Sequence, residues 1–236
     1  MLLFFVDNII KSRKVNKFYG EIILVKLDNI GDFIIWIKFA KSIKLFYKNE
    51  KITLVCHKNV KGLASKLNLF DKIIEIDQSL FCRNLIYRIR KIKVLTEYSY
   101  GKVLHSTYSR RFICSDSIVR ILNAREKFGF FGDNINQSIF LKMISNYWYT
   151  SLFSSKEILM HEYYRNDEFL SNLKIPNIQN KILPKVSELK NINISLPKDF
   201  IIVNPGSTNL LRIWPVENFI DLINKIFKSY KIVIYI

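Results

Sequence analysis

Apolar residues along the chain fall into short unbroken blocks separated by longer stretches of helical period. The first block, Ile22 to Val25, has the composition of a strand buried on both faces of a parallel sheet. It stops abruptly. Lys26 to Asn29 is polar apart from Leu27, Gly31 allows a tight turn, and a long apolar helix pattern begins at Asp32 or Phe33. Strand, turn and helix together open a βαβ unit, whose turn lies at the carboxyl end of the strand, where open α/β sheets place their ligands. Asp32 is therefore expected in the first helical turn, at a crevice.

The alternation continues. Lys38, Lys41, Lys44 and Lys48 form a stripe on the first helix that reads as a solvated face. Ile52 to Cys56 predicts a second strand, Val60 to Leu69 a helix and Lys72 to Ile76 a third strand. From Leu80 to Lys93, apolar positions interleave with Arg83, Arg88, Arg90, Lys91 and Lys93, which predicts one amphipathic outer helix with a basic exposed side. Lys102 to His105 is a strand, Ser106 to Arg111 a polar loop, Phe112 to Leu122 a helix and Lys127 to Phe131 another strand. Ser and Arg at that strand-to-helix turn suit an anion, and equally an ordinary helix start with solvated arginines. Ile135 to Phe153 and His161 to Leu173 predict two helices.

Between Lys174 and Asp199 the periodicity is weakest, and Pro176, Pro184 and Pro197 interrupt it. This divides the chain into a first domain at 1–175, a linker at 176–198 and a second α/β unit at 199–236. That unit holds a strand at Phe200 to Val203, a polar turn at Asn204 to Asn209, a helix at Val216 to Tyr230 and a strand at Lys231 to Ile236. A last strand without a following helix suggests a fragment or a shortened protein whose second domain is only begun.

Composition narrows the partner. Lys and Arg number 37 against 20 Asp and Glu, a formal charge of +17, so the partner is expected to be anionic: nucleic acid, lipid headgroup or phosphorylated substrate. Cys56, Cys82 and Cys114 are widely spaced and odd in number, which favours a reducing compartment. The apolar run after Met1 is too short for a signal peptide, and no stretch is long enough to span a bilayer. Leu2 to Arg13 reads as a short helix, either packed on the domain or resting on a membrane surface.

Two turns carry the candidate chemistry. Gly206, Ser207 and Thr208 offer N–H groups and hydroxyls after a strand, and Arg212 adds a fixed charge, a set suited to a diphosphate. Asp32 is either a base or a residue compensating the helix dipole, and Asp28 is its nearest rival. No GxGxxG, GxxxxGK[ST] or DxD pattern occurs, and His57, His105 and His161 have no metal-ligand spacing.

ILVKLDNIGDFIIWIKFAKSIK resembles the N-terminal signature of the family 9 glycosyltransferases, the lipopolysaccharide heptosyltransferase group, and IIVNPGSTNLLRIWPVENFIDLI resembles that family's second signature. The resemblance implies a GT-B type fold of two Rossmann-like domains, with acceptor on the first, nucleotide sugar on the second and reaction in the cleft. It implies Asp32 as catalytic base, Ser207 and Thr208 in a diphosphate-contacting turn, and Arg212 where the family usually has lysine, a change that keeps the charge. The implied reaction is an inverting transfer of heptose or a similar sugar from a nucleotide-diphosphate donor to lipopolysaccharide or another cell-surface glycan. No cofactor or metal is expected. Arg110 and Arg111 are candidates for an acceptor phosphate, and the expected location is cytoplasmic, peripheral on the inner membrane face. The family's later donor motifs would lie beyond Ile236. A basic nucleic-acid-binding module and a noncatalytic homologue remain as alternatives; no nucleic-acid motif is visible, so no nucleic-acid partner is expected.

Overall fold

The computed structural model describes residues 7, 18–156, 159–177, 197–207, 211 and 213–234. It divides into two compact units, Met1–Pro184 and Lys185–Ile236.

The first unit is built on a six-stranded sheet in the order β3-β2-β1-β4-β5-β6, every neighbouring pair parallel. The strands are β1 (Phe18–Lys26), β2 (Ile52–His57), β3 (Lys72–Ile76), β4 (Ser99–His105), β5 (Asn123–Phe130) and β6 (Ser151–Phe153). This is the dinucleotide-fold order, in which the chain winds outward from β1 and then returns to β4 on the other side. The crevice opened by that reversal lies at the carboxyl ends of β1 and β4.

The unbroken apolar run of β1 is explained by cover on both faces. Ile22 and Leu24 pack with Phe33, Trp36 and Phe39 of α1 (Ile30–Phe46) and with Phe169 and Leu170 of α7 (Glu162–Asn172). Ile23 and Val25 face the other way, onto Ile92 and Leu95 of α4 (Leu85–Leu95) and Ile118, Val119 and Ile121 of α5 (Ser117–Ile121). Each of these β1 side chains is at most 1% exposed, which is what a central parallel strand demands.

Several local expectations are corrected. α1 begins at Ile30, so Gly31 lies inside its first turn, and a Cβ there would meet nothing within 4 Å; no tight turn requires that glycine. The expected helix from Val60 is a 3-10 turn at Lys58–Val60 followed by α2 (Lys61–Lys66). The expected helix from Leu80 to Lys93 is two helices, α3 (Gln78–Arg83) and α4. The break is at Asn84, whose extended backbone ends α3 and whose side chain accepts from Tyr87 N at 2.9 Å to cap α4. Arg88 is not on a basic exposed side but is 1% exposed. Lys38 and Lys44 of the lysine stripe are tied down by Asp167 and Asp71. Phe112–Asp116 is a turn of π-helix that leads into α5. The expected helix from Ile135 to Phe153 is α6 (Ile139–Asn146) followed by β6, which pairs with Phe128 to Phe130 on the sheet edge.

Asp7 is the one described residue of the expected N-terminal helix; it is helical and fully buried against Arg88 and Arg120, so at that position the segment packs on the domain. Most of the expected linker, 178–196, lies outside the described residues. Among the described residues, no helix is long and apolar enough to cross a membrane.

The second unit contains β7 (Phe200–Val203), α8 (Val216–Ile226) and β8 (Lys231–Ile234), with β7 and β8 parallel, a βαβ arrangement. α8 ends before the expected Tyr230. None of its residues is buried, and Val216, Ile220 and Leu222 are exposed.

Candidate functional site

A cleft of about 780 Å³ opens at the carboxyl edge of the first unit's sheet, at the switch between β1 and β4. One wall carries Lys26, Asp28 and Asp32 from the β1–α1 turn and Glu162 from α7. The other carries Gln78, Cys82 and Arg83 of α3 with Arg111 and Cys114 around the π-turn.

The β1–α1 turn separates two carboxylates by their partners. Lys26, 1% exposed, reaches Asp28 at 2.7 Å, and Thr107 Oγ1 donates to the same Asp28 oxygen at 2.9 Å. Burial by itself would raise the Asp28 carboxyl, but the Lys26 charge and the hydrogen bonds from Lys26 and Thr107 outweigh it and hold the group below the usual carboxylate range. Asp28 is thus an engaged anion. Asp32 stands in the first turn of α1, exposed and lining the cleft. α1 itself is held to the loop after β4 by Trp36 Nε1 donating to Ser106 Oγ at 2.9 Å.

Glu162 is a cleft residue that sequence reasoning missed. It opens α7, which packs on α1 through Lys38, itself in contact with Tyr163 and Asp167. Burial pushes the Glu162 carboxyl up; Lys26 and Arg165 draw it down, and the negative charges of Asp28 and Asp32 raise it further. The cleft therefore carries an exposed carboxylate and, in its field, a second one that holds its proton to higher pH. In sequence, Glu162 is an ordinary acidic residue at a helix start, and only the packing of α7 on α1 reveals its neighbours.

The arginines expected to share one role are divided. Arg111 is exposed on the cleft wall, its Nη1 donating to Gln78 Oε1 at 3.2 Å. Arg110 is a correction: it is 0% exposed, lies 3.5 Å from Asp116, and donates to Phe131 O and Asn146 Oδ1. Its guanidinium also covers the Tyr149 ring at 4.9 Å. An arginine so enclosed braces the core below the cleft and does not meet an acceptor.

In the second unit, Gly206 and Ser207 are exposed in the turn after β7, where Gly206 N donates to Asn204 Oδ1 at 3.1 Å. Thr208 and Arg212 lie outside the described residues. Among the described residues, no group of three His, Cys, Asp or Glu side chains could hold a metal ion.

No protein-family model and no curated protein matches the sequence. Solved structures do match. E. coli heptosyltransferase WaaC with ADP aligns at TM-score 0.64 and 16% identity over 91% of this chain and 66% of its own. The same enzyme with ADP-2-deoxy-2-fluoro heptose gives 0.67 and 15% over 91% and 68%. The glycosyl transferase family 9 structure from Veillonella parvula DSM 2008 gives 0.61 and 14% over 92% and 62%. The fold is family 9 heptosyltransferase-like. The chain spans about two thirds of the length of these structures, and so corresponds to a partial GT-B fold. Within that fold, the described residues that line the cleft containing Asp32 are residues of the Rossmann-like first unit.

Proposed function

We propose that the protein is a glycosyltransferase by lineage, moving heptose or a similar sugar from a nucleotide-diphosphate donor to lipopolysaccharide or another cell-surface glycan. The observation that carries this reading is Asp32: in a heptosyltransferase-like fold, it is the open carboxylate at the switch-point cleft, beside an Asp28 already engaged by Lys26 and Thr107.

In the proposed reaction, Asp32 takes the proton of an acceptor hydroxyl as that oxygen bonds the anomeric carbon and the bond to the diphosphate breaks, inverting the centre. The turn of Gly206, Ser207 and Thr208, with Arg212, receives the donor diphosphate and stabilises its growing charge, a role that calls for no metal or resident cofactor. Glu162 binds a second acceptor oxygen, and Arg111 with Arg83 meets an anionic group of the acceptor. A phosphorylated glycolipid would present such a group at the inner face of the cytoplasmic membrane, where a chain of charge +17 is attracted to anionic lipid. The noncatalytic reading differs only in lacking turnover. Burial of Lys26, Arg88, Arg110, Arg120 and Arg165 takes part of the charge inside and weakens the case for a nucleic-acid surface.

The test is transfer from ADP-heptose to a de-acylated lipopolysaccharide core, followed by mass spectrometry. Wild type is expected to add one sugar, and Asp32→Asn to lose at least roughly a hundredfold in rate with its fold intact. Loss in Asp28→Asn with activity kept in Asp32→Asn overturns the assignment. Absence of transfer despite thermal stabilisation by the nucleotide sugar selects the noncatalytic reading.

A further inference from the structure

α6 turns its apolar side outward. Its inward contacts are largely polar: Ser145 is 0% exposed, Lys142 Nζ donates to Gly132 O at 2.6 Å, and Asn146 Oδ1 accepts from the buried Arg110. Ile139, Phe140, Met143 and Tyr147 recur at helical spacing along the other face and are 58–89% exposed. Ile135, in the loop before the helix, is 80% exposed. A helix that served only to cover a core would show the reverse arrangement. Single exposed apolar side chains are ordinary, but five in one short segment mark a surface that meets something.

The stripe stands at the rim of the cleft. Asn136, Gln137 and Leu141 line the cleft, and α6 packs on the π-turn, whose Ile113 is also exposed and also lines it. The charges shown on this side are positive. Arg83 and Arg111 are exposed at the cleft wall, whereas the sequence from Gln78 to Leu95 and from Asn134 to Thr150 contains no Asp or Glu. The two acids of the π-turn and of the loop before α6 are engaged. Asp116 is 0% exposed beside Arg110, and Asp133 accepts from Ser109 Oγ at 2.6 Å and from Ile135 N at 3.1 Å.

We propose that α6 is a membrane-docking helix that lies in the surface of an anionic bilayer, with Ile135, Ile139, Phe140 and Met143 entering the interfacial layer and Tyr147 among the headgroups. Charge complementarity selects this occupant. Exposed apolar side chains flanked by arginines and free of carboxylates match a layer of acyl chains beneath anionic headgroups, and the chain's charge of +17 adds long-range attraction to it. A second copy would set the same arginines against each other. A stable protein interface also takes roughly 20–30 residues a side, far more than one two-turn helix offers, whereas a bilayer sets no such minimum. The consequence for the cleft rests on the glycosyltransferase reading: docking turns the cleft mouth toward the headgroup layer, where Arg111 and Arg83 meet the anionic group of a lipid-borne acceptor. The docking itself does not rest on it.

The test is flotation of the whole chain with vesicles of phosphatidylcholine alone and of an equimolar phosphatidylglycerol and phosphatidylcholine mixture. Wild type is expected to float with the mixed vesicles and to bind the neutral ones at least roughly tenfold more weakly. The double variant Phe140→Ser, Met143→Ser is expected to lose at least roughly tenfold in partition to the mixed vesicles, while Phe140→Trp keeps it. Should the double variant not fold, a benzophenone amino acid in place of Phe140 gives the second readout, and on irradiation with mixed vesicles it is expected to cross-link to lipid. Undiminished flotation of a folded double variant shows binding by charge alone and overturns the proposal. So does a cross-link from position 140 to a second copy or to another part of the same chain in the presence of vesicles. Vesicle binding without sugar transfer leaves the docking face standing and counts against the transferase reading; transfer to a de-acylated acceptor by a chain that does not float overturns the docking face and leaves the transferase reading intact.

Discussion

Asp7 and Arg88 meet in the core as a two-pronged ion pair, Arg88 Nε to Asp7 Oδ1 at 2.8 Å and Nη2 to Oδ2 at 2.7 Å, with both side chains at most 1% exposed. Arg120 Nη2 adds a third contact at 2.9 Å, and the remaining Arg88 nitrogen donates to the carbonyls of Phe81 and Ile113. One carboxylate from far back in the chain thereby balances two guanidiniums and joins α4, α5 and the π-turn. Asp7→Ala leaves both cations buried without their counter-charge. It is expected to cost about 3–5 kcal/mol of unfolding free energy, measured by urea denaturation. A loss below about 1 kcal/mol would mean that water reaches the guanidiniums.

Acid stability turns on His105. Tyr149 OH donates its single proton to Asp116 at 2.8 Å, so at its 2.7 Å contact with His105 it accepts, which places the His105 proton on Nδ1. Nε2 is left buried with no hydrogen-bond partner among the described residues. A second proton there would be an unsatisfied buried donor, and burial accordingly pushes the imidazole down to about 4 from 6.5. Between those two values the unfolded chain binds more protons than the folded one, so stability falls as the pH drops through that window. The loss is on the order of 3 kcal/mol. His105→Gln is expected to flatten this part of the curve of unfolding free energy against pH, and an unchanged slope from pH 6.5 to pH 4 would refute it.

Gly132 closes the loop that underlies the cleft. Its φ of +69° is one that L side chains rarely adopt, and an added Cβ would run into the Tyr108 carbonyl. Gly132→Ala is expected to cost about 2 kcal/mol or more and to displace Tyr108, a cleft residue. Comparable thermal unfolding of the variant and wild type would exclude this.

The strand–turn–helix at the head of the chain was legible because both levels of pattern agreed there. Four apolar residues in succession specify a strand covered on both faces, and the polar break after Val25 specifies its carboxyl end; the buried Ile22 to Val25 and the exposed Asp32 answer to both. Local pattern failed where a tertiary partner decides a residue's setting. Arg88 lies in a basic repeat and reads as solvated, yet Asp7 and two carbonyls draw it inside. Arg110 and Arg111 are adjacent and chemically alike, but the extended backbone between them sends one to Asp116 and the other to the cleft. The helix expected through Phe153 missed β6 because its three residues become a strand only by pairing with β5. Glu162 depends on contacts between elements far apart in sequence, for which no spacing rule exists.

Glu162 gives the site a pH signature that does not depend on turnover. Its carboxyl is raised by burial and by the anions of Asp28 and Asp32 against the pull of Lys26 and Arg165. The folded protein therefore binds more protons than the unfolded chain between the ordinary glutamate value and the raised one. The stability this group contributes is present below that window and is lost as pH rises through it. Glu162→Gln removes the ionisation, so the variant is expected to gain stability over wild type as pH rises, while the two converge in acid. Asp32→Asn takes away one of the charges holding the proton in place, so Glu162 is expected to titrate lower in that variant. Carbon-13 resonances of labelled glutamate carboxyls read this directly. A Glu162 signal that titrates at the same pH with and without the Asp32 charge would show that the two carboxylates do not share the cleft's field. It would remove Glu162 from the acceptor site while leaving the fold, and Asp32, untouched.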